Sequence, residues 1–126
     1  YSELSGMRVL FMEAVEQMGI EAAGEEARRV VGDRPVYVSF DIDSIDPAFA
    51  PGTGTPEAGG FTSREVLSLI RQFHGLPVIG ADVVEVAPPW DPTGTTALVA
   101  ATVMYELLCV LVEGRTSDPT PMDGQP

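Results

Sequence analysis

The stretch PVYVSFDIDSID, residues 35–46, decides the fold of this chain. Residues 36–40 form a short run of mostly β-branched and aromatic side chains, which is typical of a buried strand in a parallel sheet. The run leads directly into two carboxylates, Asp41 and Asp43. Because ligands of open parallel sheets collect at the carboxyl ends of the strands, this stretch predicts an α/β protein with its chemistry at that edge.

Helical and extended segments alternate along the rest of the sequence. Apolar spacing, capping residues and glycine stops predict helices at residues 7–18, 21–31, 62–73 and 95–112, and a second strand at residues 78–84. We expect Ser5 to cap the first helix, and we expect the last helix to be buried because it is apolar almost all round. The alternation predicts a parallel sheet whose two strands are joined by a right-handed crossover.

The helix between the two strands carries the clearest start signal. Thr62 and Glu65 have the spacing of a capping box, and Phe61 is placed to pack on Val66 as a hydrophobic staple. Upstream of this helix lies a connection rich in Pro and Gly, residues 43–60, which is too long for an idle turn. A connection of this kind is either functional or disordered.

The chain has room for one domain, but two strands do not make a stable parallel sheet on their own. We therefore interpret residues 1–113 as the C-terminal part of a single domain, which needs further strands from upstream or from another chain. Residues 114–126 are rich in Pro, Ser, Thr and Asp and are predicted to form a mobile tail. No targeting signal can be read, and we expect a cytoplasmic location.

The acidic strand ends predict a cation site. Residues i and i+2 of a strand point to the same face, so we expect the carboxylates of Asp41 and Asp43 to converge. Two ionised carboxylates at short range repel each other unless a cation lies between them, and oxygen ligands suit magnesium, manganese or calcium. Glu85 follows the second strand and would add a carboxylate to the same edge. From the Asp-Ile-Asp motif alone, a plain turn is an equally good explanation.

Two other kinds of site begin from a similar motif. An EF-hand calcium loop is disfavoured because Ile45 occupies the position of its third acidic residue. A phosphotransferase of the haloacid-dehalogenase type also has a strand followed by Asp-x-Asp, and it needs a downstream cation, usually a lysine. All seven cationic residues here are arginine, which leaves Arg64 and Arg71 as weak substitutes.

The charge balance excludes some partners. Seven basic and 19 acidic residues give a formal net charge of −12, which would repel nucleic acid and attract cations. No segment approaches the roughly 18 consecutive apolar residues of a membrane span, so we expect no membrane partner. The single cysteine, Cys109, lies in an apolar helical run and is predicted to be a small buried apolar residue.

The remaining polar residues are assigned structural roles. Asp46, Thr53 and Asp91 are predicted to fix turns through local hydrogen bonds to the backbone. Asp82, in the second strand, is a candidate hydrogen-bond acceptor behind the site. His74 is the only histidine and lies at the end of a helix, where a capping or dipole role is expected rather than metal ligation.

The residues around the Asp-Ile-Asp motif resemble the ureohydrolase signature in type and spacing. The matching blocks are SFDIDSIDP (39–47), PGTGTP (51–56), Gly60 and VEVAPP (84–89). The PGTGTP and VEVAPP forms are more similar to agmatinases and guanidinobutyrases than to arginases. The resemblance implies a three-layer arginase-type α/β fold with a parallel sheet, of which this chain is a C-terminal segment.

The resemblance also implies roles for individual residues. Asp41 and Asp43 are expected to be ligands of a binuclear manganese centre, with two Mn²⁺ ions per complete site. Glu85 is expected to hold the guanidinium group of the substrate, and Thr55 is expected to line the substrate pocket. The implied reaction is the hydrolysis of a small guanidinium compound, of the agmatine or guanidinobutyrate type, to urea and an amine.

The rest of the family's metal site has no match in this sequence. Four further ligands, two His and two Asp, come from upstream motifs in the family, and no histidine precedes Asp41 here. We therefore expect the isolated chain to be inactive, whereas the complete protein would be an enzyme and a homo-oligomer, a trimer or hexamer. The alternative is a short non-catalytic protein of the same fold that binds metal weakly or associates with full-length subunits.

Overall fold

The computed structural model describes residues 5–116, with side chains described as far as residue 114. Its elements follow in the order α1 (Met12–Met18), α2 (Ile20–Val31), β1 (Val36–Asp41), α3 (Ser63–Arg71), β2 (Val78–Val84) and α4 (Thr95–Thr116). Short 3-10 helices lie at Ile42–Ser44 and Pro88–Trp90. Of the predicted mobile tail, residues 117–126 lie outside the described part, and residues 114–116 continue α4 instead.

The two strands pair in parallel, as predicted, and α3 lies between them along the chain. In the register of the sheet, Ser39 is opposite Asp82 and Asp41 is opposite Val84. The chain therefore leaves both strands at the same edge of the sheet. This parallel pair packed against helices is the α/β arrangement expected from the sequence.

α3 begins at the predicted capping box. The backbone N–H of Glu65 donates to the Thr62 hydroxyl at 3.2 Å, and the backbone N–H of Thr62 donates to Glu65 Oε2 at 2.8 Å. The hydrogen bond from the Thr62 backbone is the main reason why the pKa of Glu65 lies below its ordinary value. The helix ends at Arg71, shortly before Gly75, whose φ of 81° suits a residue without a side chain.

The core lies between one face of the sheet and the helices α3 and α4. Val38 and Phe40 of β1 pack towards this core, whereas Tyr37 and Ser39 alternate with them and are exposed. α4 packs on β2 and on α3, and α3 packs on α2. The largest side chains with less than 2% exposure are Ile42, Ile45, Ile70, Val66, Val78, Val103, Val110 and Thr96.

The first helix is shorter than predicted. α1 begins at Met12 and has Phe11 as its N-cap without a side-chain hydrogen bond, so the prediction of a helix from residue 7 capped by Ser5 is wrong. Gly6 adopts a φ of 74°, which interrupts any helix at that point. Residues 7–11 are not helical, although their apolar spacing fits a helix.

The expectation that the last helix is buried all round is wrong for the part of α4 whose side chains are described. Its inner face carries Val103, Leu107 and Val110, which are buried, but Tyr105 is 67% exposed and Leu108 is 57% exposed on its outer face. A sheet of two strands covers only one side of a helix of 22 residues, which explains the difference.

The composition of α4 also bears on the membrane prediction. By length and composition, Thr95–Gly114 is long and apolar enough to cross a membrane, contrary to the expectation that no segment comes close. One such helix within residues 5–116 is weak evidence, because core helices of soluble proteins pass the same test. Cys109, in the middle of this helix, is half-buried rather than fully buried as predicted.

Candidate metal and substrate site

Asp41 and Asp43 lie at the end of β1 but do not share one strand face. β1 ends at Asp41, and Ile42–Ser44 form a 3-10 helix, so the assumption that Asp43 still lies in the strand is wrong. The backbone N–H of Asp43 donates to Asp41 Oδ1 at 2.9 Å, and the Ser44 hydroxyl donates to the Asp41 carbonyl oxygen at 2.7 Å. These local bonds turn the chain out of the strand and keep the two acidic residues in contact.

The two carboxylate oxygens of Asp43 have different surroundings. Oδ2 accepts a hydrogen bond from the hydroxyl of Thr55, whereas Oδ1 is buried without a hydrogen-bond partner among the described residues. Such an oxygen is costly because it has lost its contact with water and gained no donor in return. A bound cation would supply the missing partner, so these residues fit a divalent metal that prefers oxygen ligands.

The described part of the chain does not contain a complete metal site. No group of three or more His, Cys, Asp or Glu side chains that could hold an ion is found within residues 5–116. Within the described residues, the carboxylates of Asp41 and Asp43 are two candidate ligands and do not make a complete set.

The only histidine lies at the other end of the sheet, in the turn between α3 and β2. His74 Nδ1 lies 2.5 Å from Glu113 Oε2 of α4. The guanidinium group of Arg28 donates to the carbonyl oxygens of Gln72 and His74 at 2.7 and 2.8 Å. Arg28 thus satisfies the free carbonyls after α3. His74 links this turn to α4 through Glu113, whereas a capping or dipole role had been predicted for it.

The long connection between β1 and α3 is closed at its base by backbone hydrogen bonds. The N–H of Phe61 donates to the Ser44 carbonyl, and the N–H of Asp46 donates to the Phe61 carbonyl, both at 2.9 Å. The Asp46 carboxylate accepts from the N–H groups of Ala48 and Gly59, both at 2.8 Å. These two bonds, the one from Ala48 first, hold the pKa of Asp46 below its ordinary value. Asp46 therefore fixes this loop, as predicted.

A buried polar cluster anchors the middle of the same loop. The N–H of Gly52 donates to Thr96 Oγ1 at 2.7 Å, and the N–H of Thr96 donates to Asp91 Oδ2 at 2.6 Å. Asp91 Oδ1 accepts from the N–H and the hydroxyl of Thr93, and the bond from this hydroxyl is the main reason why the pKa of Asp91 lies far below its ordinary value. The N–H of Ala87 donates to the Gly52 carbonyl at 2.8 Å, which ties the loop to the segment after β2.

Sequence patterns did not single out Thr96 or Gly52 as members of this cluster. Thr96 is 1% exposed, and a Cβ at Gly52 would lie 2.7 Å from Asp91 Cβ, so packing excludes a larger residue at position 52. The only sequence signal for this cluster was the PGTGTP block, which contains Gly52 but was noted for its resemblance to the ureohydrolase signature. Thr53 was predicted to fix a turn through its hydroxyl, but that hydroxyl is buried without a partner among the described residues.

Glu85 leaves β2 in an unusual backbone conformation. Its φ is 64°, and no other non-glycine residue in the described part of the chain has a positive φ. This conformation costs an L-residue roughly 1–2 kcal/mol, and strain of this kind is concentrated at functional sites. Because Val84 pairs with Asp41, the exposed Glu85 leaves the sheet beside the acidic end of β1.

Asp82 lies three residues earlier and serves the sheet itself. Its carboxylate accepts from the Ser39 hydroxyl at 2.7 Å and from the Tyr37 hydroxyl at 3.0 Å. The bond to Asp82 is the main reason why the pKa of Tyr37 lies above its ordinary value. Asp82 is thus a hydrogen-bond acceptor that braces β1 close to Asp41, and the end of β2 at Val84 separates it from Glu85.

Comparisons with known proteins identify the family of the chain. A family model described as the Arginase family matches residues 1–110. The chain is 61% identical over 108 residues to guanidinopropionase of Pseudomonas aeruginosa, and 51% identical over 111 residues to guanidinobutyrase of the same organism. These alignments cover 86% and 88% of this chain but 34% and 35% of the two relatives, so the chain spans about a third of their length.

The fold is shared with solved structures of the same group. Proclavaminate amidino hydrolase from Streptomyces clavuligerus matches with a TM-score of 0.87 and 45% sequence identity, over 90% of this chain and 39% of that one. The partial coverage fits the predicted C-terminal segment of an arginase-type fold. Both the sequence and the fold of this chain therefore show that it belongs to the arginase family.

Proposed function

We propose that this chain forms the C-terminal part of a ureohydrolase that splits a small guanidino compound into urea and an amine. The observation that carries the proposal is the carboxylate of Asp43, one oxygen of which is buried without a described partner at the edge where both strands end. The names of the relatives, guanidinopropionase and guanidinobutyrase, support the same class of reaction.

Asp41 and Asp43 are the residues of this chain that would hold manganese, in a centre of two Mn²⁺ ions. When bound, such ions supply Lewis acidity that activates water as a nucleophile at neutral pH. Within the chain, the hydrogen bond from the Asp43 N–H to Asp41 Oδ1 keeps the two acidic residues together. The ionised carboxylates offset part of the charge of the ions, and the remaining ligands would come from outside this segment.

Glu85 is proposed to bind the guanidinium group of the substrate. A carboxylate matches a planar guanidinium through paired charge-assisted hydrogen bonds, which orient the central carbon for attack. Water adds to that carbon, its two protons pass to the substituted nitrogen, and the bond to this nitrogen breaks, so that an ammonium ion and urea are released. Continued alternation would place Glu85 on the face of Val83, which packs against the core, but the positive φ of Glu85 ends the alternation of β2, so its side chain need not follow Val83.

The substrate class follows from the site and from the relatives. Thr55 belongs to the loop that borders the acidic edge and is proposed to line the substrate pocket. The net charge of −12 favours a cationic group such as guanidinium over an anionic one. We propose a linear guanidino compound, with agmatine, guanidinobutyrate and guanidinopropionate as the candidates to be tested side by side.

The isolated chain is proposed to bind manganese weakly and to release no urea. Two Mn²⁺ ions carry a charge of +4, against −2 from Asp41 and Asp43, since Glu85 is assigned to the substrate. A hard cation with two protein ligands stays mostly hydrated and exchanges readily. The complete protein is proposed to be a homo-oligomer, a trimer or hexamer, with the activity that this segment lacks.

A second candidate function is favoured by the outer face of α4. This face exposes several large apolar side chains, namely Leu98, Tyr105, Leu108 and Val112. A short protein with such a surface would associate with full-length subunits without catalysing a reaction.

The two functions are separated by a graft into a relative. Residues 1–110 replace the matching segment of guanidinopropionase from P. aeruginosa, with which they share 61% identity over 108 residues. We expect the hybrid to release urea in a manganese-dependent manner, and we expect Asp43→Asn to abolish the release.

Asp33→Asn is the matched control, because Asp33 is an exposed acid in the turn after α2. Urea is measured with each of the three candidate substrates, and the 126-residue chain is assayed in parallel. Full activity of the hybrid with Asp43→Asn would remove the metal role of Asp43. Manganese-dependent turnover by the chain alone would show that its ligand set is larger than proposed.

A further inference from the structure

The hydroxyl of Thr55 and the carboxylate of Asp43 are joined by a hydrogen bond across 12 residues of sequence. The hydroxyl donates to Asp43 Oδ2, while Asp43 Oδ1 remains buried without a described partner. The bond therefore acts on an acidic side chain whose other oxygen is buried without a described partner. It also fixes which of the two oxygens is free.

A hydroxyl has one proton to donate and two lone pairs that accept. The proton of Thr55 is used on Asp43, so Thr55 meets a substrate only as an acceptor. A guanidinium group has donors and no acceptor, so this remaining capacity is the one it needs. The hydroxyl of Thr55 can therefore orient Asp43 and contact a guanidinium group at the same time.

The loop holds Thr55 in place from both sides. On one side, Gly52 is fixed by the buried hydroxyl of Thr96 and by the N–H of Ala87. On the other side, Gly59 donates to Asp46 Oδ2 at 2.8 Å. Thr55 lies between these two anchors, and its hydroxyl therefore approaches Asp43 from a fixed segment of backbone rather than from a free loop.

We propose that Thr55 is a positioning residue for Asp43, which locks the carboxylate in one orientation and leaves Oδ1 free for a divalent cation. This inference rests on the proposed function of Asp43 as a metal ligand. It assigns Thr55 a task that does not depend on substrate, in addition to the proposed contact with the guanidinium group. Residues that orient a ligand in this way typically alter metal affinity about 10–100-fold when they are removed.

The first test needs no metal. In the 126-residue chain, the χ1 rotamer of Asp43 is measured from three-bond couplings by NMR for the parent, Thr55→Val and Thr55→Ser. We expect a single rotamer in the parent and in Thr55→Ser, which keeps the hydroxyl, and rotamer averaging in Thr55→Val. Thr102→Val is the control, since the Thr102 hydroxyl bonds only within α4, to the Leu98 carbonyl at 2.9 Å.

The second test measures manganese. Titration with Mn²⁺, followed by the electron paramagnetic resonance signal of the free ion, should show weak binding by the parent. Thr55→Val should weaken this binding about tenfold or more, whereas Thr55→Ser and Thr102→Val should not. Asp43→Asn should abolish it.

The outcomes separate the inference from the proposal beneath it. A fixed Asp43 rotamer in Thr55→Val, or unchanged manganese affinity in that variant while Asp43→Asn abolishes binding, overturns the positioning role alone. Unchanged binding in Asp43→Asn, or no binding by the parent, counts against the metal role of Asp43. In that case the rotamer measurement still decides whether Thr55 orients the carboxylate.

Discussion

The carboxylate of Asp91 accepts a hydrogen bond from the backbone N–H of Thr96 at 2.6 Å, and both residues are almost fully buried. Thr96 also contacts the long loop, because its hydroxyl accepts a hydrogen bond from the N–H of Gly52 at 2.7 Å. The start of α4, the segment after β2 and the loop that carries Thr55 are thereby held as one unit. Residues proposed to act on the metal and on the substrate depend on contacts that lie outside the site.

Gly52→Ala should destabilise the chain. The added Cβ would lie 2.7 Å from Asp91 Cβ and 2.9 Å from Thr96 Oγ1, so the buried cluster would have to move. Overpacking of this kind costs about 1–3 kcal/mol of unfolding free energy, measured by urea denaturation. Gly54→Ala is the control, since a Cβ added at Gly54 would meet open space within 4 Å and we expect little change. Equal effects of the two substitutions would contradict the packing argument.

Asp91 should make the unfolding free energy of the chain decrease as the pH falls below the ordinary pKa of aspartate. Its pKa is lowered in the folded state by the hydrogen bonds from Thr93 and Thr96, so the unfolded chain binds the proton first as pH falls. The stabilisation is therefore complete above about pH 4, the ordinary value for aspartate, and is lost progressively at lower pH. Asp91→Asn removes this contribution without changing the shape of the side chain.

Urea midpoints measured at about pH 6 and pH 3 test this prediction. Asp91→Asn should be less stable than the parent at the higher pH, and its stability should fall less between the two values. Glu26, Asp46, Glu65 and Glu106 also have lowered pKa values, but both proteins contain them, so their contributions cancel in the comparison. An equal loss of stability in the parent and in Asp91→Asn would show that Asp91 does not cause the pH dependence.

Glu85→Gly should leave the stability of the chain unchanged or increase it, whereas Glu→Gly at an unstrained position should decrease it. Glycine removes the cost of a positive φ, about 1–2 kcal/mol, which stabilises the folded state. It also increases the conformational entropy of the unfolded chain, which lowers the unfolding free energy by roughly 0.4–1 kcal/mol. Glu57→Gly is the control, since Glu57 is exposed and does not have a positive φ. We expect the unfolding free energy of Glu85→Gly to exceed that of Glu57→Gly by about 1 kcal/mol or more. An equal loss in both would mean that Glu85 is not strained in solution.

The elements of this fold were predictable where local signals are strong. The apolar run before Asp41 predicts β1, and the Thr62–Glu65 capping box predicts the start of α3, because both depend on neighbours in sequence. The 3-10 helix at Ile42–Ser44 was missed, since hydrogen bonds from Asp43 and Ser44 back to Asp41 override the strand pattern.

The sequence predicts which residues belong to the candidate site, but it does not predict the contacts between them. Asp41, Asp43, Glu85 and Thr55 follow from the motifs, and the parallel register brings the ends of β1 and β2 together. The bond from Thr55 to Asp43 depends on how a long loop closes in three dimensions. Local patterns carry no information about such closure, and the same holds for the exposed outer face of α4, which depends on what else packs there.

That outer face should drive association of the chain in solution. Leu98, Tyr105 and Val112 recur at intervals of seven residues, which is close to two helical turns, and they are 69%, 67% and 61% exposed. Leu108 adds to the same apolar stripe and is 57% exposed. Stripes of this kind on soluble proteins are usually covered by another surface, so we expect sedimentation velocity to show association that increases with concentration.

Tyr105→Gln combined with Leu108→Gln should shift the chain towards the monomer, because both changes remove apolar surface without adding charge. Phe11→Gln is the control, since Phe11 is 70% exposed and belongs to the N-terminus of α1 rather than to α4. The double variant should keep its unfolding free energy within about 0.5 kcal/mol of the parent, as exposed substitutions do, while its sedimentation changes. Equal association of the parent, the control and the double variant would assign the contact to another surface, and binding of the parent to neutral lipid vesicles would assign the stripe to a membrane instead.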